Sequence, residues 1–151
     1  MFIEKASLFQ DLSQHFLSEL AENLNDERHE PGSFLFRRGE PPLHLFILRE
    51  GRVRISYGDE GNVALVVSGG GDAFGWAGLV GREAYTATAE CLTPVSVTRV
   101  PVRVIMGLFE RDPADGVAFF RRLARLIGER LENFYKMIPA AHGEKRATPG
   151  F

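Results

Sequence analysis

The segment Phe74-Gly75-Trp76-Ala77-Gly78-Leu79-Val80, followed after a short loop by Tyr85-Thr86-Ala87-Thr88-Ala89, has the residue types of an anion-binding turn. A glycine ahead of a short apolar helical turn lets the chain bend tightly and point unbonded N–H groups outward. There the positive end of the helix dipole favours a negative charge. Such a turn holds a phosphate or another small anion with backbone alone. The candidate ligand contacts are therefore Phe74, Gly75, Trp76, Ala77, Gly78 and Leu79 in the turn, with Arg82, Tyr85, Thr86, Ala87 and Thr88 beside it.

These residues resemble the phosphate-binding cassette of the cyclic-nucleotide-binding domain family, the fold of the catabolite activator protein and of the regulatory domains of cyclic-nucleotide-dependent kinases. Similar signals run outside the cassette, through Ser7-Leu8-Phe9, through Glu30 to Glu40 (EPGSFLFRRGE) and through Leu45 to Ile55 (LFILREGRVRI), to a long helix ending near Met137. The resemblance implies an α+β, mainly β chain: a double-stranded β-helix or jelly-roll (β-roll) with an N-terminal helix and a long C-terminal helix. It also implies a regulatory module that senses cyclic AMP, cyclic GMP or another small anion, with no further cofactor.

The family's two usual ligand-recognition side chains are replaced. Where the family has a glutamate after Phe-Gly for the ribose 2′-hydroxyl, this chain has Trp76. Where it has an arginine before the Ser/Thr-Ala pair for the cyclic phosphate, this chain has Tyr85. A charge-assisted hydrogen bond is worth roughly 1.5–3 kcal/mol, so loss of the arginine alone weakens binding by about one to two orders of magnitude. Two substitutes are on offer. Arg82 can swing in from its loop to restore the charge. Alternatively the Tyr85 phenol and the Thr86 or Thr88 hydroxyls donate to the anion while the Trp76 indole stacks or donates. The competing expectation is that Trp76 fills the pocket with apolar bulk, leaving a structural module that recruits a protein partner.

With 151 residues, 44% hydrophobic and 25% charged, the chain fits one domain with a sizeable core. A formal net charge of −2 argues against general binding to nucleic acid or to an anionic membrane. No apolar run approaches a transmembrane span, and no basic segment with an apolar signal core opens the chain. Cys91 is the single cysteine, in keeping with a reducing compartment, and a cytoplasmic protein is expected. Its expected role is a small buried strand residue.

Leu12, Phe16, Leu17, Leu20 and Leu24 stand at helical spacing, predicting a helical segment over residues 8–24 that breaks at Asn25-Asp26. Between about residues 28 and 100 short β-type runs alternate with turn chemistries, including Pro31-Gly32, Gly39-Glu40-Pro41-Pro42 and Gly69-Gly70-Gly71-Asp72. Val53, Ile55 and Tyr57 alternate with Arg52, Arg54 and Ser56, as on a half-exposed strand, whereas residues 43–48 are more evenly apolar. Pro101 is placed to start a short helix, and Asp112-Pro113 to open a long one over residues 113–137 before Pro139 stops it. The folded domain is thus expected over residues 1–138, with 101–138 helical and 139–151 a disordered tail.

On the long helix, Phe120, Ala124, Ile127, Leu131, Phe134 and Ile138 step by four and three, making a seam of the kind that pairs helices. The resemblance implies a homodimer helix that also lids the ligand; packing on the protein's own barrel is the alternative. Thirteen residues after Ile138 are too few for the helix-turn-helix that bacterial transcription factors of this family carry, so sequence-specific DNA binding is not expected.

No catalytic residue and no metal ligand set is predicted. His15, His29, His44 and His142 lack paired metal-site spacing. Some family members hold haem through cysteine or histidine, which leaves Cys91 and His44 as formal candidates without supporting partners. Nucleophile-elbow, Walker-lysine and Gly-x-Gly-x-x-Gly patterns are all missing, so an enzyme is not expected.

Overall fold

The computed structural model describes residues 2–58 and 63–138. Among the described residues, eight antiparallel strands form two four-stranded sheets, one ordered β1-β8-β3-β6 and the other β2-β7-β4-β5. In chain order the strands are β1 (Asn25–His29), β2 (Phe34–Phe36), β3 (His44–Glu50), β4 (Val53–Tyr57), β5 (Val63–Val67), β6 (Ala73–Phe74), β7 (Ala87–Cys91) and β8 (Val95–Pro101). Accompanying them among the described residues are the α-helices α1 (Gln14–Ala21), α2 (Val102–Arg111) and α3 (Pro113–Met137). This is the expected β-roll with an N-terminal helix and a long C-terminal helix. The expectations for the tail, 139–151, and for His142 lie outside the described residues.

The evenly apolar run of β3 has a physical reason. Leu45 and Ile47 point into a core shared with the helices, while Phe46 and Leu48 point into the barrel, so both faces of this strand are buried. The barrel core also holds Val53, Ile55, Val67, Ala89, Val95 and Val97, the inward members of alternating strands. Cys91 is buried among them, and burial pushes its thiol pKa up, which keeps it an apolar filler.

The helical core joins Phe9, Phe16 and Leu20 to Ile105, Phe109, Phe119 and Leu123. Phe16 stacks on Phe109 with centroids 5.2 Å apart, and Phe109 meets Phe119 at 5.0 Å. The N-terminal half of α3 is tied down as well. Ser13 donates its backbone N–H and its hydroxyl to Asp115, at 2.9 and 2.6 Å, while the same hydroxyl caps α1 by accepting from the Phe16 N–H.

Two boundaries differ from the sequence expectation. The predicted helix over 8–24 is a 3₁₀ turn, Ser7–Phe9, followed by α1, because Asp11 sits at φ 64 and the Ser13 cap restarts the helix. The β region begins at Asn25 rather than 28, since the polar run Asn25–His29 pairs with β8 residue for residue. Pro101 ends β8 and caps α2, and Pro113 takes the first position of α3 as predicted.

Candidate ligand-binding site

Between β6 and β7 the chain makes the glycine turn predicted to hold an anion. Gly75 adopts φ 78, and a Cβ there would lie 3.1 Å from Phe36 and 3.2 Å from Phe46, so both conformation and space demand glycine. Trp76 then caps a 3₁₀ turn, Ala77–Val80. The first N–H groups of that turn have no acceptor inside it. Gly78 is required for a different reason. A Cβ there would come within 2.1 Å of the Pro42 carbonyl oxygen, so the missing side chain lets the turn seat against the neighbouring loop.

A cavity of about 410 Å³ opens beside this turn. Its walls include Phe74, Gly75, Trp76, Ala77, Arg82, Tyr85, Thr86 and Ala87, eight of the residues that the sequence nominated. Gly78, Leu79 and Thr88 lie outside it. Leu79 is buried in the helical core, and the Thr88 hydroxyl accepts from the Arg38 N–H at 3.0 Å. Phe36, Ile55, Tyr57, Leu65, Val80, Ile127 and Arg130 complete the lining. None of these seven belonged to the sequence-nominated ligand contacts.

The expectation that the Tyr85 phenol donates to a ligand is corrected by its surroundings. Its hydroxyl donates to the His44 carbonyl oxygen at 2.7 Å and accepts from the His44 N–H at 3.2 Å. The ring, 5% exposed, stacks on Phe36 with centroids 4.0 Å apart. Burial raises its pKa, with the hydrogen bond to His44 opposing that rise, so the phenol is a neutral structural pin. Tyr85 contributes only its ring to the cavity wall.

Trp76 does not plug the cavity. It packs one side against the helical core and lines the cavity with the other, half-buried. Above it, the Arg130 guanidinium carbon stands 4.9 Å from the ring centre. Burial draws the Arg130 pKa down, opposed by the charge of Asp72 and by Tyr57, yet an arginine stays cationic under such conditions. Arg82 is exposed at the rim, its backbone N–H donating to the Ala77 carbonyl oxygen at 3.0 Å. The cavity therefore has two guanidinium groups in its walls and, among the described residues, no carboxylate.

The seam of α3 faces this region in part. Phe120 meets Phe109 and Phe119 in the helical core, while Ile127 lines the cavity. Leu131 and Phe134 line an adjoining apolar groove of about 470 Å³ with Tyr57, Gly58, Leu65, Trp76, Ile127 and Arg130. Ala124 is exposed. The deepest burial on α3 falls on the neighbouring face, at Phe119 and Leu123.

The profile of the Cyclic nucleotide-binding domain matches residues 26–112 of this chain. The chain belongs to the cyclic nucleotide-binding domain family. A cGMP-dependent protein kinase of Caenorhabditis elegans, egl-4, is 30% identical to this cyclic nucleotide-binding domain over 96 residues, which is 62% of the chain and 12% of the kinase. The chain thus spans a small part of that relative. The sensor domain of the transcriptional regulator DNR from Pseudomonas aeruginosa superposes with a TM-score of 0.70 at 21% identity, covering 92% of both chains. A regulatory subunit of a cAMP-independent protein kinase A from Trypanosoma brucei gives 0.68 at 22% identity, covering 82% of this chain and 43% of that one. At these identities the structural likenesses speak for a shared fold. Cyclic nucleotide-binding domains are regulatory modules, attached in some relatives to an enzyme.

Proposed function

We propose that this chain is a regulatory ligand-binding module that senses a small anion in the cavity beneath α3, by recognition that departs from the family's usual pair of side chains. Cyclic AMP and cyclic GMP are the ligands to which the family points. The observation that carries this reading is the open cavity at the glycine turn with Arg82 and Arg130 in its walls. The family, whose domains are regulatory modules attached in some relatives to an enzyme, supports reading this module as non-enzymatic.

Ligand binding signals only if it distinguishes two arrangements of the protein. The firmly packed N-terminal half of α3 and the Arg130 half over the cavity suit that requirement, because a ligand that draws on Arg130 acts directly on the helix. Leu131 and Phe134, with the exposed Tyr135, Met137 and Ile138 at the same end, support homodimerisation through α3. A Phe134→Glu variant that sediments as the same species as the parent protein removes that part of the reading.

The net charge of −2 supports a module that contacts neither DNA nor membrane, and no described helix is long and apolar enough to cross a membrane. Its one cysteine, buried and free, suits the cytoplasm. Titration of cyclic AMP and cyclic GMP into the purified protein, followed by the emission of its single tryptophan, tests the reading. A saturable change at micromolar nucleotide supports it. A flat response to millimolar nucleotide, with no shift in melting temperature, removes cyclic nucleotides as the ligand and leaves either a different small anion or an interaction module that recruits a protein partner.

A further inference from the structure

We propose that the ligand of this cavity is a monoanion with an apolar body, a carboxylate on an aromatic or acyl framework, and that Arg130 of α3 is its anchor. The inference rests on the anion-sensing reading above and names the ligand class within it.

Three features of the lining point this way. The first is the lack of a carboxylate or amide acceptor for sugar hydroxyls, the Thr86 and Tyr57 hydroxyls being the side-chain acceptors in the lining. The position beside Gly75 that faces the cavity is the Trp76 indole, which has one donor and no acceptor, and no Asp, Glu, Asn or Gln side chain lines the cavity. A ribose buried here meets neutral hydroxyls and no charged acceptor, a weaker grip than a carboxylate supplies, and poorly partnered buried polar groups oppose binding. The second is the character of the walls, which are mainly aromatic and aliphatic side chains. The Tyr85 hydroxyl is spent on the His44 backbone, so even this residue offers the ligand only ring surface.

The third is the continuity between the cavity and the apolar groove under the end of α3. They share Tyr57, Leu65, Trp76, Ile127 and Arg130. Arg130 thus stands at the junction of two hydrophobic spaces, its positive charge resting on the Trp76 ring. Among the described residues it has no ion-pair partner within 4 Å, whereas Arg122 on the same helix pairs with Asp11 at 2.5 Å. A carboxylate gives the guanidinium a planar, two-pronged partner, and the apolar body fills the cavity or extends into the groove. The volumes of about 410 and 470 Å³ lie in the ordinary range for small-molecule sites.

The test is a fluorescence titration of the full chain with decanoate, 2-naphthoate, decanol, cyclic AMP and cyclic GMP, read on Trp76. One or both carboxylates are expected to saturate, with decanol at least about tenfold weaker, the loss of one charge-assisted contact. Arg130→Gln, checked for an unchanged circular dichroism spectrum, reduces the carboxylate affinity to that of the alcohol, and Arg130→Lys recovers part of it. Phe134→Ala weakens decanoate and spares naphthoate if the body extends along the groove; the reverse ranking of the two carboxylates places a flat body in the cavity, and either supports the proposal. Saturation by a cyclic nucleotide with neither carboxylate binding overturns the inference and leaves the anion-sensing reading intact. A flat response to every compound overturns both.

Discussion

Arg130 stands 4.9 Å above the Trp76 ring, so a cation on the long helix is coupled directly to the glycine turn that begins the candidate site. A half-buried pair of this kind is worth about 1 kcal/mol. In a double-mutant cycle of Trp76→Leu and Arg130→Gln, followed by urea unfolding, the two substitutions are expected to be non-additive by about that amount. Strict additivity would show that the two side chains are neighbours without interaction.

The phenol of Tyr85 bonds both the N–H and the carbonyl oxygen of His44. Tyr85→Phe leaves those backbone groups without that partner, and is expected to cost about 2 kcal/mol of stability. Because the hydroxyl is not turned to the ligand, the midpoint of an anion titration stays where it was. A variant of full stability with weakened anion binding would reverse the assignment of this residue.

His44 supplies a pH dependence. Burial first, and then the charge of Arg99, hold its pKa below the ordinary 6.5, with Glu27 opposing. The fold therefore favours the neutral ring. Above 6.5 the ring is neutral in both folded and unfolded chains and stability is at its full value. As pH falls below 6.5 the unfolded chain takes up the proton first, and stability drops until the lowered folded pKa is passed. His44→Gln is expected to flatten this part of the stability profile, measured by denaturant unfolding between neutral and mildly acid pH.

Gly78 is held by contact rather than by dihedral angle. A methyl group there would meet the Pro42 carbonyl oxygen at 2.1 Å and a Val102 methyl at 3.2 Å, and the former is backbone that cannot swing aside. Gly78→Ala is expected to destabilise by about 2–3 kcal/mol, the range of overpacking in a tight site. Thermal unfolding checks it; a melting temperature equal to the parent's would mean that the turn shifts freely.

Much of the architecture is legible in the sequence because its signals are local. Alternation at Val53, Ile55 and Tyr57 marks a strand, Asp112-Pro113 marks a helix start, and Phe74-Gly75 marks the turn. The strand Asn25–His29 escapes such reading, since its residues are all polar and its strand character comes from pairing with β8 far along the chain. The helix over 8–24 is over-extended because apolar spacing is blind to the left-handed Asp11. At the site, the turn and its flanks are found from local motifs, but the commitment of the Tyr85 hydroxyl and the arrival of Arg130 are tertiary facts. Arg130 looks in sequence like any arginine of a basic helix, and only folding distinguishes it from the exposed Arg121 and Arg125.

The single tryptophan lies in the wall of the cavity, so one resonance reports on it. The most direct measurement is the indole N–H signal of Trp76 in a proton–nitrogen correlation spectrum, recorded during titration with cyclic AMP, cyclic GMP, decanoate and 2-naphthoate. A saturable displacement by at least one of these anions, diminished in Arg130→Gln, is the predicted result. An indole signal that stays fixed with all four at millimolar concentration would contradict the claim that this cavity senses an anion.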